Sequence, residues 1–339
     1  MKRKCGALIL AAGKGTRMKS DRAKVIFKLA EKEMVRRVTE RALQLDCDPI
    51  GIVVGYQKDE VIAAIPHNDK VSFIEQIEQQ GTGHAVMVTA ELFQDFEGDM
   101  FILCGDIPLL SKETLMNLLK THQDNNAACT VLTIKLPDPA AYGRIVRNSE
   151  DQIIKIVEYK DATETERKIN EINTGIYCFD CRLLFQALKE INNDNKQSEY
   201  YLTDTLEVLN RRQKKVIGLV TDKQSEITGI NSQKELAELE TEFYRRIKNH
   251  WLNNGVSIEN PESVIIGEDV IIEPDVEIDI GTVIKGKSII KKRTKIGAYC
   301  YLENVLLGSD IVLEGYNILK NTQISENELL SFQEIRIND

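Results

Sequence analysis

The stretch ALILAAGKGTRMKSDRAK, residues 7–24, decides the fold of the N-terminal part of this chain. Residues 7–12 form a short apolar run, which is typical of a strand buried on both faces, and Gly13 and Gly15 then end it. Glycines in a turn leave backbone N–H groups open to an anion. Cationic side chains follow in the same stretch, namely Lys14, Arg17, Lys19, Arg22 and Lys24. The stretch therefore predicts a strand followed by a polyphosphate-binding loop.

Two common phosphate-binding patterns do not fit this loop. A P-loop needs a second glycine five residues after the first, and Met18 stands there instead. Met18 also takes the place of the third glycine of the GxGxxG dinucleotide fingerprint, which disfavours NAD binding. A glycine turn with solvated charges is the alternative that the loop alone leaves open.

Composition limits the class of protein. A chain of 339 residues suggests two domains, and a net charge of −9 argues against a nucleic-acid or anionic membrane surface. Seven cysteines, an odd number without metal-type spacing, indicate reduced thiols. No apolar run reaches the roughly 18 residues of a membrane span, and the N-terminus turns polar too early for a signal peptide. We therefore expect a cytoplasmic protein without nucleic-acid or membrane partners.

Apolar periodicity after the loop predicts alternating strands and helices. A helix is expected from Met34, further helices at 59–64, from Gly81 through Leu92, at 181–190 and at 203–212, and strands at 50–54, 71–74, 100–104, 129–136, 144–148, 153–159, 172–180 and 215–220. The strand at 100–104 ends in Gly105 and Asp106, which places a carboxylate at the edge where doubly wound sheets bind ligands. The alternative is that Asp106 only caps the following turn.

The C-terminal third has a different organisation. Ser232 and Glu235 form an S-x-x-E capping box that starts a helix. Apolar residues recur along this helix in steps of three or four, at Leu236, Leu239, Phe243, Ile247 and Trp251, which indicates a connecting arm.

A six-residue period follows the arm. Large aliphatic residues recur at 266, 272, 278, 284, 290, 296 and 302, and the period resumes after one five-residue step at 307, 313 and 319. Small or β-branched residues stand four positions after the first six of them. Ten hexads predict a parallel β-helix of a little over three coils. The last fifteen residues lack the period, which predicts a cap or tail there.

The loop pattern LxxGxGTRM followed by a lysine resembles the signature of the sugar-nucleotide pyrophosphorylases. To about residue 325 the chain resembles the bacterial N-acetylglucosamine-1-phosphate uridyltransferase family. The stretches that carry the resemblance are LAAGKGTRMKS, EQQGTGHAV, GDIPLL, YGRIVRN, KDATETERKINEINTG, EYYLTD and GINSQKEL. It implies an α/β fold with a Rossmann-like mixed-sheet nucleotidyltransferase domain at 1–230, a helical arm at 231–252, a short left-handed parallel β-helix at 253–325 and a tail at 326–339.

The resemblance also implies site residues. Nucleotide contacts would come from Leu10, Ala11, Ala12, Gly13, Gly15, Gln76, Gly81 and Thr82, and sugar contacts from Gly105, Gly143, Glu158 and Asn173. Arg17 and Lys24 would be catalytic and neutralise the triphosphate. Asp106 and Asn231 would hold Mg²⁺ through oxygen ligands. His84 is expected to be structural, because a sugar phosphate that is already ionised needs no general base.

The implied reaction joins UTP and N-acetylglucosamine 1-phosphate into UDP-N-acetylglucosamine and pyrophosphate, in a homo-oligomer, with a trimer through the β-helix favoured. Two departures from the family stand out. Ala23 replaces the usual proline before Lys24, which puts the rigidity of the loop in question. The β-helix is shorter than in the bifunctional family and has no histidine, since the four histidines are at 67, 84, 122 and 250, so acetyltransferase activity is expected to be absent.

Other functions remain open at this point. One alternative is a pyrophosphorylase for another sugar 1-phosphate or another nucleotide, because one side-chain change could retune the sugar site. A second is an inactive scaffold or regulatory subunit for a separate acetyltransferase. The presence of Arg17, Lys24, Asp106 and Asn231 together argues against the scaffold.

Overall fold

The computed structural model describes residues 3–338, and these divide into two compact units after Gln233. The sequence places this boundary three residues earlier and treats the following helix as a separate arm. In the structure that helix groups with the C-terminal unit. No helix within residues 3–338 is both long enough and apolar enough to cross a membrane.

Eleven strands form within residues 3–233. They are β1 (Lys4–Leu10), β2 (Lys28–Leu29), β3 (Lys32–Glu33), β4 (Ile50–Val54), β5 (Val71–Glu75), β6 (Gly98–Cys104), β7 (Cys129–Lys135), β8 (Arg144–Arg147), β9 (Ile153–Val157), β10 (Glu171–Asp180) and β11 (Val216–Thr221). All but the β2–β3 hairpin belong to one sheet.

The same unit contains eight α-helices in its described part. They are α1 (Met34–Gln44), α2 (Lys58–Ala63), α3 (Thr82–Met87), α4 (Lys112–Asp124), α5 (Glu164–Arg167), α6 (Cys181–Leu188), α7 (Asp204–Arg211) and α8 (Gln224–Ile227). Single 3-10 turns at Thr16–Met18 and Lys24–Ile26 lie within the glycine-rich loop. The predicted strands and helices are confirmed to within a few residues at nearly every position.

The nine-stranded sheet is mixed. Its order is β11-β7-β10-β6-β1-β4-β5, with β8 paired to β10 and β9 paired to β8. Strands β5, β4, β1 and β6 run parallel to one another, and β10 runs antiparallel between β6 and β7. The carboxyl ends of the four parallel strands therefore meet at one edge. The register of β1 on β6 places Leu10 beside Cys104, so the residues that follow these two strands emerge side by side.

Helices cover both faces of this sheet. Val38 of α1 and Ile9 of β1 belong to the core on one face, and Leu184 of α6 and Leu8 of β1 belong to the core on the other. All four side chains are buried. Because successive side chains of a strand point to opposite faces, an uninterrupted apolar strand such as β1 needs both layers.

One predicted helix is shorter than expected. The apolar pattern from Gly81 continues through Leu92, but α3 ends at Met87. The Thr89 hydroxyl donates to the carbonyl of Val86 at 2.7 Å, and the following N–H groups bond three residues back instead of four. A threonine that bonds to the preceding turn competes with helix continuation, so the chain leaves the helix in successive turns.

The second unit begins with a long helix and continues as short strands. Its elements are α9 (Gln233–Asn253), β12 (Ser257–Ile258), β13 (Ile265–Ile266), β14 (Ile271–Ile272), β15 (Glu277–Ile278), β16 (Val283–Lys285), β17 (Ile289–Ile290), β18 (Lys295–Ile296), β19 (Tyr301–Glu303), β20 (Leu306–Leu307), β21 (Val312–Leu313), β22 (Ile318–Lys320), β23 (Gln323–Ile324), β24 (Leu329–Leu330) and β25 (Ile335–Ile337). Ile247 and Trp251 of α9 pack against the core of these strands.

The short strands stack into three parallel sheets, in the orders β12-β15-β18-β21-β24, β13-β16-β19-β22-β25 and β14-β17-β20-β23. All ten aliphatic residues of the predicted hexads are buried inside. This architecture agrees with the left-handed parallel β-helix expected from the sequence.

The prediction of a tail at 326–339 is wrong for the residues that the structure describes. Strands β24 and β25 pair with β21 and β22, so the coils continue through Ile337. The period shifts here because a second five-residue step separates Leu319 from Ile324. Asn304 and Asn321 turn the chain at the two short steps with φ of +53° and +48°, and their side chains bond to each other at 3.2 Å. Left-handed corners also occur in the six-residue steps, for example at Gly286 and Asp310, so the short steps differ by one residue and not by the hand of the turn.

Candidate active site

The predicted site residues gather at the carboxyl edge of the parallel strands. Residues 11–13 follow β1, Gln76 follows β5, and Gly105 and Asp106 follow β6. The Gly105 N–H donates to the carbonyl of Leu10 at 3.0 Å, which joins the two loops directly. In sheets of this kind ligands bind beyond these strand ends, so the fold supports a site where the sequence placed one.

Gly15 fixes the shape of the glycine-rich loop. Its φ is +66°, and a Cβ atom built on it would lie 2.4 Å from the Cβ of Lys24. Only glycine allows the two ends of the loop to approach this closely. Met18, which replaces the third glycine of a dinucleotide fingerprint, is buried and anchors the intervening 3-10 turn. The loop therefore folds back so that Lys24 lies against its first turn.

Cations and oxygen acceptors converge beside this loop. The Lys24 ammonium forms an ion pair with the Asp106 carboxylate and donates to the Asn231 side-chain oxygen at 2.9 Å. Arg17 donates to the same Asn231 oxygen at 2.8 Å. The Ile230 N–H bonds to the Asp106 carbonyl at 3.1 Å, which brings Asn231 to the site from 125 residues along the chain. Two cations and one carboxylate leave this cluster with a net positive charge, which favours an anion.

The donor set of this cluster fits Mg²⁺. Within residues 3–338 no three His, Cys, Asp or Glu side chains group as a metal cage. Mg²⁺ is commonly held by one or two protein oxygens together with phosphate oxygens, and Asp106 and Asn231 offer one carboxylate and one amide oxygen. The two oxygens already hold a cation between them, since the Lys24 ammonium bonds to both. The pair thus suits a hard cation whose remaining ligands come from a polyphosphate.

The side-chain amide of Gln76, which follows β5 at the same edge of the sheet, has a fixed orientation. It is only 4% exposed, and its amide NH₂ group contacts the Gly81 carbonyl at 3.2 Å and the His84 Nδ1 at 3.1 Å. Both amide hydrogens are thereby used, and Nδ1 of His84 acts as the acceptor in this arrangement. The Gln76 side-chain oxygen accepts no hydrogen bond from the part of the chain that the structure describes. It is available to a ligand, and His84 orients it.

Two adjoining cavities contain all the predicted nucleotide-binding residues. A cavity of about 480 Å³ and another of about 240 Å³ share part of their walls. The predicted residues that line them are Leu10, Ala11, Ala12, Gly13, Gly15, Gln76, Gly81 and Thr82, with Arg17, Lys24, Asp106 and Asn231 in the larger cavity. A larger, mainly apolar cavity of about 610 Å³ between α6 and residues 87–97 lacks this convergence of polar groups, so we assign the site to the smaller pair.

The predicted sugar residues form a second group. A Cβ on Gly143 would lie 3.4 Å from the Glu158 carboxylate, and the Asn173 N–H donates to the Gly143 carbonyl at 2.9 Å. Gly175, at a register shift of β10 with φ of +78°, abuts Cys104 just before Gly105. Gly143, Glu158 and Asn173 therefore lie together, and β10 links them to the loop after β6.

Burial raises the pKa of Glu158, and the nearby carboxylates of Asp161 and Glu199 raise it further. The Thr203 hydroxyl, which donates to Glu158 at 3.3 Å, partly opposes the shift. A half-buried carboxylate of raised pKa, close to a cleft, marks a candidate ligand contact.

Sequence reasoning missed Thr203, Gln79 and Cys104. The segment 199–203 joins the two halves of the site, because the Gly83 N–H donates to the Tyr200 carbonyl at 2.7 Å while Thr203 contacts Glu158. Gln79 and Cys104 both line the larger cavity. Thr203 and Gln79 lie in stretches that carried the family resemblance, and their position next to assigned residues was the available signal.

The sheet, the loop and the cation cluster together define a nucleotidyltransferase. The family model for nucleotidyl transferases matches residues 6–283, more than half of the chain. The chain therefore belongs to the nucleotidyl transferase family.

Relatives named bifunctional protein GlmU give a finer placement. The Brevibacillus brevis protein is 41% identical over 96% of this chain and 70% of its own length. The Picosynechococcus protein is 40% identical over 94% of this chain and 70% of its own. The predicted resemblance is thus confirmed. A crystal structure of UDP-glucose pyrophosphorylase complexed with UDP-glucose matches 73% of this chain and all of its own, with a TM-score of 0.57 at 20% identity, and shows the same fold.

Gly15→Ala should destabilise the protein, because alanine at φ +66° is strained and its Cβ would overlap the Lys24 side chain. We expect a loss of at least about 1–2 kcal/mol in the free energy of unfolding, measured by urea denaturation. Gly13→Ala is the matched control for stability, since a Cβ there meets no atom within 4 Å, and should change stability by less than about 0.5 kcal/mol. Equal effects of the two variants would contradict the assigned role of Gly15.

Proposed function

We propose that this chain transfers a uridylyl group from UTP to N-acetylglucosamine 1-phosphate and releases pyrophosphate, with Mg²⁺ as the metal ion. The observation that carries the proposal is the convergence of Arg17, Lys24, Asp106 and Asn231 on one cavity at the carboxyl edge of the sheet. The GlmU relatives support the choice of nucleotide and sugar, since the resemblance to that family extends over nearly the whole chain.

The reaction requires two anions to approach each other. An oxygen of the sugar phosphate attacks the α-phosphorus of UTP in line, and the bond from that phosphorus to the pyrophosphate oxygen breaks. The sugar phosphate is largely ionised at neutral pH, since the second pKa of a phosphate monoester is about 6, so no general base has to act. Catalysis then depends on orientation and on charge neutralisation.

Arg17 and Lys24 supply that neutralisation from the protein. Both side chains already bond to the Asn231 oxygen within the cavity, so a polyphosphate would meet two positioned cations. When bound, Mg²⁺ would neutralise phosphate charge from the oxygens of Asp106 and Asn231. The backbone N–H groups of the loop from Gly13 to Gly15 would add uncharged donors to the phosphates.

Gln76 would recognise the uracil base. The uracil ring carries an N–H donor between two carbonyl acceptors, and cytosine lacks that N–H. The available Gln76 oxygen can accept from such a donor, while its amide hydrogens are held by Gly81 and His84. A fixed side-chain amide therefore favours uracil over cytosine through one oriented acceptor.

Glu158 and Asn173 would bind the sugar. The carboxylate can accept hydrogen bonds from sugar hydroxyls, and the amide of Asn173 can both donate and accept. Gly143 keeps the space in front of Glu158 open, since its missing Cβ would stand 3.4 Å from the carboxylate. The absence of acetyltransferase activity, the trimer and the cytoplasmic location stay predictions.

The first test of this function is pyrophosphate release from UTP with Mg²⁺, with N-acetylglucosamine 1-phosphate, glucosamine 1-phosphate and glucose 1-phosphate offered separately. We expect turnover with the N-acetyl sugar, and at least about a hundredfold loss of kcat in Asp106→Asn, because the variant removes the only carboxylate of the cluster. Asp69→Asn is the matched control, since the Asp69 side chain is fully exposed away from the cavities. Turnover with glucose 1-phosphate alone would support another pyrophosphorylase, and none with any sugar would favour the scaffold.

A pH series tests the role of Glu158. Because the pKa of Glu158 is raised, its carboxylate is protonated at a higher pH than that of an ordinary glutamate. Acidification therefore removes early the charged form that accepts hydrogen bonds from the sugar. Glu158→Gln should raise the KM for the sugar phosphate about tenfold at pH 8, and the ratio of the variant's KM to that of the parent protein should fall as the pH is lowered. Ionisation of the substrate phosphate is common to both enzymes and cancels in the ratio. A ratio that does not change with pH would contradict this role.

A further inference from the structure

A side chain outside the glycine-rich loop bonds to the backbone next to Lys24. Ala23, the residue before it, is completely buried, and its N–H donates to the side-chain oxygen of Gln57 at 2.7 Å. Directly after this contact the chain enters the 3-10 turn Lys24–Ile26, in which Val25 and Ile26 are buried. The backbone on both sides of Lys24 is thereby fixed, by the bond to Gln57 before it and by the buried residues after it.

Residues 56 and 57, in a turn after β4, form three hydrogen bonds to the loop. The Tyr56 N–H donates to the carbonyl of Ala12 at 3.1 Å, at the start of the loop. The Tyr56 hydroxyl donates to the carbonyl of Asp21 at 2.9 Å, near its end. With the bond from Ala23 to Gln57, one short turn after β4 holds both ends of the loop. The spacing between them is thus set by a separate element of the sheet.

Gln57 itself adopts an unfavourable backbone conformation. Its φ of +51° and ψ of +45° lie in the left-handed region, which side chains with a Cβ seldom occupy. The same conformation occurs in other turns of the chain, such as the one at Gln213, so the contacts of Gln57 and not its backbone alone mark it. Here the strained residue is the one whose side chain bonds to the loop.

We infer that Gln57 is a positioning residue for Lys24, acting through the Ala23 hydrogen bond on the lysine that meets the polyphosphate. Loss of the Gln57 oxygen leaves the buried Ala23 N–H without its partner, and a small backbone shift there moves the Lys24 ammonium away from Asp106 and Asn231. This role rests on the proposed function only in that the loop binds a polyphosphate. It extends to any ligand with a pyrophosphate group.

The test is the affinity for inorganic pyrophosphate with Mg²⁺, measured by calorimetry. Gln57→Ala should weaken binding about five- to tenfold, which is the effect of one lost hydrogen bond to a buried donor. Gln57→Glu keeps an acceptor oxygen and should bind within about twofold of the parent protein. Gln213→Ala is the matched control, because Gln213 is exposed and has the same left-handed backbone, with φ of +57°, in a turn after α7.

A double-substitution cycle identifies the route. Ala23 has φ of −58°, which a proline ring also imposes, and proline lacks the N–H that Gln57 accepts. In an Ala23→Pro background, Gln57→Ala should therefore change pyrophosphate affinity by less than about twofold. In the parent background, hydrogen exchange of the Ala23 amide should accelerate about tenfold in Gln57→Ala, with no such change in Gln213→Ala.

The outcomes separate this inference from the proposed function. Pyrophosphate binding by the parent protein without uridylyl transfer would overturn the proposed function and leave the Gln57 comparison intact. Unchanged affinity in Gln57→Ala, equal losses in the alanine and glutamate variants, or an undiminished Gln57→Ala effect in the Ala23→Pro background would overturn the positioning role. No pyrophosphate binding by the parent protein would overturn both.

Discussion

The ion pair between Lys24 and Asp106 joins the loop after β1 to the loop after β6, and the charged cluster depends on it. It forms only because β1 and β6 run parallel in a register that sets Leu10 beside Cys104, so the loops after both strands begin side by side. Gly15 then lets the first loop fold back far enough for Lys24 to reach the carboxylate. Strand register and one glycine thus convert two distant stretches of sequence into one charged cluster.

The net positive charge of the cluster favours a negatively charged ligand. Arg17 and Lys24 share a single oxygen of Asn231, an arrangement in which two like charges stand close together with one carboxylate to balance them. A polyphosphate and a divalent cation would complete the charge balance that the side chains leave unfinished. We therefore expect these side chains to complete a binding site together with a polyphosphate substrate and a divalent cation.

Sequence reasoning predicted the parts of the site that are set locally. Glycines after an apolar strand predicted the glycine-rich loop, and Asp106 after β6 predicted the position of the carboxylate, because both follow from strand ends. It did not predict the role of residues 199–203, which reach Gly83 and Glu158 through long-range contacts that no periodicity reveals. The coils beyond residue 325 were missed because the step from Leu319 to Ile324 is one residue short, which shifts the period.

The reverse reaction, followed with labelled pyrophosphate, is the sharpest test of nucleotidyl transfer at this cluster. The protein would be incubated with Mg²⁺, labelled pyrophosphate and UDP-N-acetylglucosamine, and UTP would be isolated. We expect label in UTP, because the cations that stabilise the leaving pyrophosphate must also bind it when it attacks. Absence of labelled UTP, in protein that is folded and binds pyrophosphate, would contradict uridylyl transfer between UTP and N-acetylglucosamine 1-phosphate at this site.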